Sequence, residues 1–119
     1  MSAHRIKTYS AENGYVYQYS FQSSRRARRG LFTPGHEYIF EVTRDRKNSY
    51  ILAVFVRDDA ASAWRKRHGR ELGAAELYAA AKMRLLRAFD TTDDPDAEIA
   101  EVAVDAGNIE ELLAPLDIG

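Results

Sequence analysis

Apolar side chains recur with a helical period over residues 73–90, GAAELYAAAKMRLLRAFD. At 100° per residue, one side of this segment consists of Ala74, Leu77, Tyr78, Ala81, Leu85, Ala88 and Phe89. This stripe predicts an amphipathic helix over residues 74–89 that packs on a core. Glu76, three residues after Gly73, predicts the helix start because its carboxylate can accept a hydrogen bond from an unpaired backbone N–H. Pro95, in the run TTDDPD, favours a turn beyond the helix end.

Four segments upstream of this helix show the apolar patterns of β-strands. They are residues 4–10, 15–22, 36–44 and 50–57. Asn13-Gly14 lies between the first two segments, and this dipeptide predicts a tight hairpin because both residues tolerate a positive φ. A polar turn over residues 45–48 joins the third and fourth segments. The fourth segment is apolar on both faces, which predicts a strand inside the sheet or under another layer.

The segments next to these strands carry turn and helix signals. Their Gly, Pro and Ser content and a run of charge predict a loop over residues 23–35. A short helix is predicted over residues 60–67, with Asp58 or Asp59 as its N-cap and Gly69 just beyond its end.

The C-terminal segments are less regular. Residues 98–104 fit either a strand or a helix, and the alternation of Val102 and Val104 favours a strand. Asn108, with Glu111 three residues later, predicts a short final helix. Together these patterns predict an α+β fold, in which an amphipathic helix covers one face of a four- to five-stranded, mainly antiparallel meander sheet.

Composition places the chain among ordinary globular proteins. Its 119 residues are 45% hydrophobic and 29% charged, which suits a single domain over residues 1–119 with its own core. No apolar run approaches the roughly 18 residues that cross a bilayer, and the N-terminal MSAHRIKTYS lacks the apolar stretch of a secretory signal. There is no cysteine. These features predict a cytoplasmic protein without disulfides, thiolate chemistry or a membrane partner.

Charge is distributed unevenly along the chain. Residues 1–70 contain 14 Lys/Arg and 6 Asp/Glu, a net charge of +8, whereas residues 71–119 contain 3 and 12, a net charge of −9. Such a dipolar chain leaves three arrangements open: the acidic part folds over the basic part, two copies meet head to tail, or each end has its own partner. Charges that merely solvate the surface are a fourth interpretation.

An arginine-rich end is the main candidate binding surface. In a meander, alternate connections lie at one end of the sheet, so the predicted loop should meet residues 57–70 and the start of the chain, with Arg5 and Lys7. The predicted polyanion contacts are Arg25, Arg26, Arg28, Arg29, Arg65, Lys66, Arg67 and Arg70. Arginine can donate two parallel hydrogen bonds to a phosphate, so nucleic acid is the polyanion that this surface predicts. A solvated loop or a protein contact explains the same residues, and no nucleic-acid reader motif is present.

Aromatic residues line one face of the second and third predicted strands. They are Tyr15, Tyr17, Tyr19, Phe21, Tyr38 and Phe40. Such a face can stack single-stranded bases, but the predicted helix needs an apolar face to cover, which favours a core. The opposite face mixes polar residues with Val16, Ile39, Ile51 and Phe55. This half-apolar surface predicts a contact with a second copy or with another protein.

The three histidines, His4, His36 and His68, are predicted at one end of the sheet. They predict a zinc site or an acid–base group as one alternative, but no spacing between them fixes a ligand geometry. Trp64, the only tryptophan, is predicted to anchor its short helix to the sheet. No glycine-rich phosphate loop, nucleophile elbow or zinc-protease motif is present, so the sequence predicts no cofactor and supports no enzyme class.

Three functions stand as hypotheses. The first is a non-enzymatic protein-interaction or regulatory module that contacts another protein or a second copy of itself, as in a homodimer. The second is a nucleic-acid-binding accessory domain that uses the arginine-rich loop. The third is a small enzyme or ligand binder with its site at the histidine-containing end of the sheet.

Overall fold

The structure is a computed structural model that describes residues 5–44, 48–94 and 96–117. In chain order its elements are β1 (Lys7–Ser10), β2 (Val16–Arg29), β3 (Thr33–Thr43), β4 (Ser49–Arg57), α1 (Asp58–His68), α2 (Ala74–Thr91), β5 (Glu101–Val104), α3 (Ile109–Leu113) and a 3-10 turn (Ala114–Leu116). The five strands form one sheet in the order β1-β2-β3-β4-β5. The predicted α+β fold with a mainly antiparallel sheet is confirmed. Of the predicted turn over residues 45–48, only Asn48 is described.

The first four strands pair antiparallel, and β5 pairs parallel to β4. The parallel pairing follows from the connection, because α1 and α2 carry the chain back along the sheet before β5 begins. The Ala53 N–H donates to the Ala100 carbonyl at 2.9 Å, just ahead of β5. β4 therefore lies between β3 and β5, which explains why it is apolar on both faces. The strand prediction within residues 98–104 is confirmed.

The core lies between one face of the sheet and the helices, with α2 at its centre. Leu85 and Phe89 of α2 are buried, and Phe89 stacks on Tyr17 with ring centroids 4.2 Å apart and ring planes 7° apart. Tyr19 is buried beside them. The interpretation of the aromatic face as core is therefore confirmed. Trp64 of α1 is also buried, so it anchors that helix as predicted.

Side chains hold both ends of α2. At its start, the Glu76 carboxylate accepts hydrogen bonds from the Gly73 backbone N–H and from the Arg70 guanidinium, both at 2.8 Å. The Arg70 guanidinium, together with the Gly73 N–H, lowers the pKa of Glu76 to about 2. At the helix end, Asn13 in the first hairpin turn donates to the Phe89 carbonyl at 2.8 Å. The predicted helix start is confirmed. A hairpin forms at Asn13-Gly14 as predicted, but Ser10 pairs with Val16, so the connection has five residues, and of the dipeptide only Gly14 has a positive φ.

The predicted loop over residues 23–35 is wrong, because β2 and β3 continue through it as a two-stranded β-hairpin. We call these residues the arm. Arg29 pairs with Thr33 at its far end, and Gly30 makes the turn with a φ of +63°, a conformation that favours glycine. Local composition indicates a loop here, but pairing between the two strands and ion pairs of the arginines override it.

A β-bulge at the base of the arm reverses which residues face the helices. The register shifts between Phe21 and Ser23. Odd-numbered residues of β2 therefore face the helices before the bulge, and even-numbered residues face them after it. Arg26 consequently lies on the helix side of the arm. Arg29 lies on the open face, by which we mean the sheet face that the helices do not cover.

The start of α1 differs from the prediction. Neither Asp58 nor Asp59 is the N-cap, because Arg57 occupies that position and no side chain caps it. The two aspartates lie in the first turn, where the helix dipole favours negative charge. They form ion pairs there with Arg26 and Arg57 respectively, which is why neither carboxylate serves as a cap. Gly69 ends the helix with a φ of +76°, as predicted.

Asn108 does not cap the last helix with its side chain, contrary to the prediction. Its amide nitrogen donates to the Ala103 carbonyl at 3.1 Å, and its amide oxygen accepts from the Asp105 N–H at 2.9 Å. The Asp105 carboxylate in turn accepts from the Asn108 N–H at 3.0 Å. The helix itself forms as predicted, because this turn of side-chain hydrogen bonds orients its first residues.

Gly35 lets a phenyl ring lie across the third strand. A Cβ atom at this position would lie 2.5 Å from Cζ of Phe55 and 2.5 Å from the carbonyl oxygen of Val56. Phe55 is consequently only 2% exposed, although it lies on the open face of the sheet. The sequence therefore needs glycine here for a close approach between neighbouring strands.

Replacing Gly35 with alanine is expected to destabilise the fold by about 1–3 kcal/mol, because the added methyl group must displace Phe55 or the backbone beside it. Gly73→Ala is the control, since a Cβ there meets nothing closer than 3.6 Å. Its expected loss is below about 1 kcal/mol, from a less favourable helix start. Urea denaturation measures both free energies of unfolding. Equal losses at the two positions would contradict a special requirement at Gly35.

Candidate functional site

The end of the arm presents apolar side chains to solvent. Leu31 and Phe32, which we call the tip, follow the turn glycine and are 76% and 90% exposed. Arg28 lies beside them, and its guanidinium donates to the Leu31 carbonyl at 3.2 Å. No leucine, isoleucine, valine or phenylalanine in the described part of the chain is more exposed than Phe32. An apolar pair at the end of a projecting ribbon is typical of a contact element.

On the helix side, Arg26 fixes the arm to the start of α1. Its two terminal nitrogens donate to the two carboxylate oxygens of Asp58 at 2.7 and 2.6 Å. This bidentate geometry gives strong, directional hydrogen bonds. The Arg26 guanidinium lowers the pKa of Asp58, so the pair remains ionised at neutral pH.

On the open face, Arg29 joins several strands. Its guanidinium donates to Glu37 and to Glu101, each at 2.6 Å, and lies 4.4 Å from the centre of the Phe55 ring. Because Glu101 belongs to β5, this contact runs from the second strand to the fifth, which would lie about 14 Å apart in a flat sheet. The register also places Ser23, and not Arg29, at the level of Glu101, so Arg29 would lie a further six residues, or about 20 Å, along the strand. The sheet is therefore strongly curled at this end, as strand twist and the bulge would produce.

Glu37 is the buried member of this network. Its side chain is 9% exposed, and Arg25 donates to its other carboxylate oxygen at 2.8 Å. The hydrogen bond from Arg29 is the largest cause of a lowered pKa for Glu37; burial opposes it and Arg25 reinforces it. The carboxylates of Glu101 and Glu37 raise the pKa of Arg29. Charge-assisted hydrogen bonds thus fix the arm on both of its faces.

The structure separates the eight predicted polyanion contacts into two groups. The first group lies on the arm and consists of Arg25, Arg26, Arg28 and Arg29. The second lies at the far end of α1, a helix of 11 residues or about 16 Å, and consists of Arg65, Lys66, Arg67 and Arg70. The members that pair with carboxylates are Arg25, Arg26, Arg29 and Arg70. Within the described ranges, no carboxylate pairs with Arg28, Arg65, Lys66 or Arg67.

Arg5 and Lys7 do not lie with the arginines of the arm, contrary to the prediction. Lys7 pairs in register with Tyr19, ten residues before Arg29 at the end of β2. β1 has 4 residues and β2 has 14, so the short first strand runs beside only the start of the long one. The convergent basic end is therefore smaller than the meander pattern predicts.

The described histidines lie apart from each other, and His4 is outside the described residues. His36 pairs with Arg26 at the base of the arm. His68 stacks on Trp64 with ring centroids 4.0 Å apart, and its Nε2 lies 3.0 Å from a Glu110 oxygen. Over the residues that the structure describes, no group of three or more His, Asp or Glu side chains is placed to hold a metal ion. The zinc alternative therefore has no assembled ligand set there.

The predicted half-apolar open face is smaller than its sequence pattern indicates. Val16 and Ile51 are exposed, and Ile39 is half-buried. Phe55, the largest apolar residue predicted for this surface, is covered by Arg29 and is not available for contact. The tip is therefore the more prominent apolar surface.

A groove lies between α2, α3 and the first hairpin turn, and the sequence patterns do not predict it. Its volume is about 330 Å³. Its apolar lining includes Tyr9, Met83, Leu86 and Leu112. Its rim is acidic on balance, with Glu12, Asp90 and Glu111 against Arg87. One signal could have indicated it, because Met83 and Leu86 are apolar residues of α2 that lie outside the predicted stripe.

The acidic rim of the groove carries one carboxylate without a partner. Asp90 accepts hydrogen bonds from the Tyr9 hydroxyl at 2.8 Å and from the Glu12 N–H at 2.9 Å. Burial, with Asp90, raises the pKa of Tyr9 to about 12, so this hydroxyl keeps its proton. Glu111 pairs with Arg87 at 2.9 Å. The Glu12 carboxylate forms no hydrogen bond or ion pair with any residue in the described ranges.

Replacing Glu37 with glutamine is expected to lower the free energy of unfolding at neutral pH by about 1–3 kcal/mol, because the buried network loses its charged acceptor. The folded pKa of Glu37 lies below its ordinary value of 4.5. The difference in free energy of unfolding between wild type and variant is therefore complete above about pH 4.5, and it disappears as the pH falls through the pKa of Glu37 in the folded state.

Urea denaturation of wild type and variant, repeated in steps from neutral to acidic pH, measures this difference. Glu41→Gln is the control, since Glu41 is an exposed carboxylate on the same strand. The control should differ little from wild type at any pH. A difference between wild type and Glu37→Gln that does not shrink on acidification would contradict the expected role of Glu37.

Comparisons of this chain with protein-family models, with curated proteins and with solved structures found no match. No helix in the described ranges combines the length and the apolar character needed to span a membrane. Two surface features of the described chain are candidate binding sites. They are the exposed tip of a fixed arm and the acidic, apolar groove beside α2.

Proposed function

We propose that this chain is a non-enzymatic protein-interaction module that contacts its partner through the tip of the arm. The single observation that carries the proposal is the nearly complete exposure of Leu31 and Phe32. These side chains contribute nothing to the core. A partner that covered them would gain roughly 1.5–3 kcal/mol for each side chain buried.

The tip combines residue types that favour contact with another protein. Phenylalanine and arginine are enriched in interfaces, and Phe32 lies two residues past the turn glycine, Gly30, with Arg28 beside it. The partner surface that fits is an apolar pocket bordered by carboxylates. Its pocket would receive the phenyl ring, and its border would pair with the guanidinium.

Ion pairs on both faces hold the arm in one position. Arg26 binds Asp58 on the helix side, and Arg29 binds Glu37 on the open face. A contact element that is already ordered loses less conformational entropy when it binds. This favours a preformed binding element over a loop that orders on contact.

A photo-crosslinking residue at position 32 is expected to capture a discrete protein adduct when the chain is irradiated in the cells that make it. The crosslinker p-benzoylphenylalanine resembles phenylalanine, so the contact is retained. The adduct should fall several-fold when Arg28→Ser and Leu31→Ser accompany the crosslinker in the same chain, because these changes remove the rest of the contact. The same crosslinker at Ile6, which is 67% exposed but lies away from the tip, is the control.

The two serine substitutions should change the free energy of unfolding by less than about 0.5 kcal/mol, because the side chains are exposed. Equal adducts from positions 32 and 6 would contradict the proposal. So would an adduct that the two serine substitutions leave undiminished.

A nucleic-acid-binding accessory role is the second candidate, and the unpaired basic turn at the end of α1 favours it. Arg65, Lys66 and Arg67 are exposed, and no carboxylate within the described ranges pairs with them. With Arg28 they are the predicted contacts still available to phosphate. Consecutive helix residues point about 100° apart, so these three do not form one strip along a nucleic-acid backbone. This arrangement makes the second candidate weaker than the first.

If the basic turn binds phosphates, affinity for mixed single- and double-stranded oligonucleotides should fall steeply between about 50 and 200 mM salt, because bound counterions are released. Arg65→Glu/Arg67→Glu should lose most of this binding, and Lys7→Glu is the control with a charge reversed elsewhere. The measurement uses the full chain and not a version without the acidic C-terminal part, because Val104 and Ile109 of that part are buried in the core. Absence of binding at low salt, or equal loss in the control, would exclude this role.

A further inference from the structure

We infer that the partner of the tip is a second copy of this chain, which receives the tip in the groove between α2 and α3. The contact is head to tail, because the tip of one copy meets a different surface of the next. This inference rests on the proposed protein-interaction function and identifies the partner.

The groove has the chemistry that the tip requires. Met83 and Leu86, both half-buried, supply apolar surface for Leu31 and Phe32, and the buried Leu112 also lines the groove. Its volume of about 330 Å³ falls within the range of roughly 300–1,000 Å³ for pockets that enclose organic groups. The groove of a second copy is therefore large enough to receive the phenyl ring of the tip.

The charges beside the two surfaces are also complementary. Arg28 lies next to the tip, and Glu12 lies on the rim of the groove. Neither side chain has an ion-pair partner among the residues that the structure describes. Contact between two copies brings these opposite charges together, which favours the correct orientation of approach.

One copy cannot place its tip in its own groove. Glu12 lies in the turn before β2, and Phe32 follows the end of β2. The strand has 14 residues, or about 46 Å of extended chain, and the longest dimension of the molecule is 44 Å. The two complementary surfaces therefore lie at opposite ends, and only another copy can bring them together.

A contact between two different surfaces leaves each pair of copies with one free tip and one free groove. Association therefore continues into a ring or a filament and does not stop at a symmetric homodimer. Two side chains in a groove bury less area than the roughly 1,200–2,000 Å² of stable interfaces. We therefore expect reversible association with a Kd roughly between micromolar and millimolar.

Two variants of the full chain test this geometry by complementation. Leu31→Ser/Phe32→Ser removes the tip and keeps the groove. Glu12→Arg/Thr91→Arg changes two exposed residues that line the groove, and keeps the tip. In sedimentation velocity, the mass of the wild type should rise with concentration and each variant alone should remain at one chain. An equimolar mixture should form a species of two chains and no larger, because one productive contact remains.

Ile6→Ser is the matched control, since it removes an exposed apolar side chain away from both surfaces and should associate as the wild type does. Urea denaturation establishes that each variant is folded. A wild type that remains at one chain up to about 1 mM would overturn the second-copy inference. The crosslinking at position 32 would still decide the protein-interaction function, so the two failures are distinguishable.

Two further results would also overturn the inference. Association by either variant alone would place the contact elsewhere on the molecule. A wild type that associates, with variants that do not complement each other, would indicate a symmetric interface in place of a head-to-tail one.

Discussion

The guanidinium of Arg29, held by two carboxylates above an aromatic ring, is the contact on which the shape of this sheet depends. It draws Glu37 of the third strand and Glu101 of the fifth towards the end of the second. It also covers Phe55, which would otherwise expose a phenyl ring on the open face. Arginine suits this position because its planar group can stack on a ring while its edges donate to two carboxylates. The arm is therefore part of the folded domain and not an appendage to it.

Gly35 makes that contact possible. Without a Cβ atom in the third strand, the Phe55 ring lies across the backbone and forms the floor on which Arg29 rests. The absence of a side chain at Gly35 lets the Phe55 ring lie flat, and the ring supports the Arg29 guanidinium. The fixed guanidinium in turn sets the direction of the arm. Leu31 and Phe32 are held out in solvent as a result, and their exposure follows from rigid structure.

Local patterns in the sequence predict the elements whose causes are local. The period of α2, the hairpin at Asn-Gly and the glycine that ends α1 all depend on neighbouring residues, and each element lies where the sequence predicts it. The arm depends on partners far along the chain, since Arg26 pairs with a residue 32 positions away and Arg29 with one 72 positions away. No local pattern contains that information, so the arginine run resembles a loop. Local patterns do not predict the groove either, because it forms only where three separate segments of the chain meet.

The second strand changes its surroundings along its length. β1 pairs with residues 16–19 only, so in the described chain the remaining ten residues of β2 form one edge of the sheet. An open edge presents unpaired N–H and C=O groups to which strands of other molecules can add. Arg25, Arg26, Arg28 and Arg29 lie along this edge and a bulge lies near its start, and charged side chains and bulges on an edge both discourage such pairing. We therefore expect this edge to resist joining backbone to backbone with the arm of another copy, whatever the tip binds.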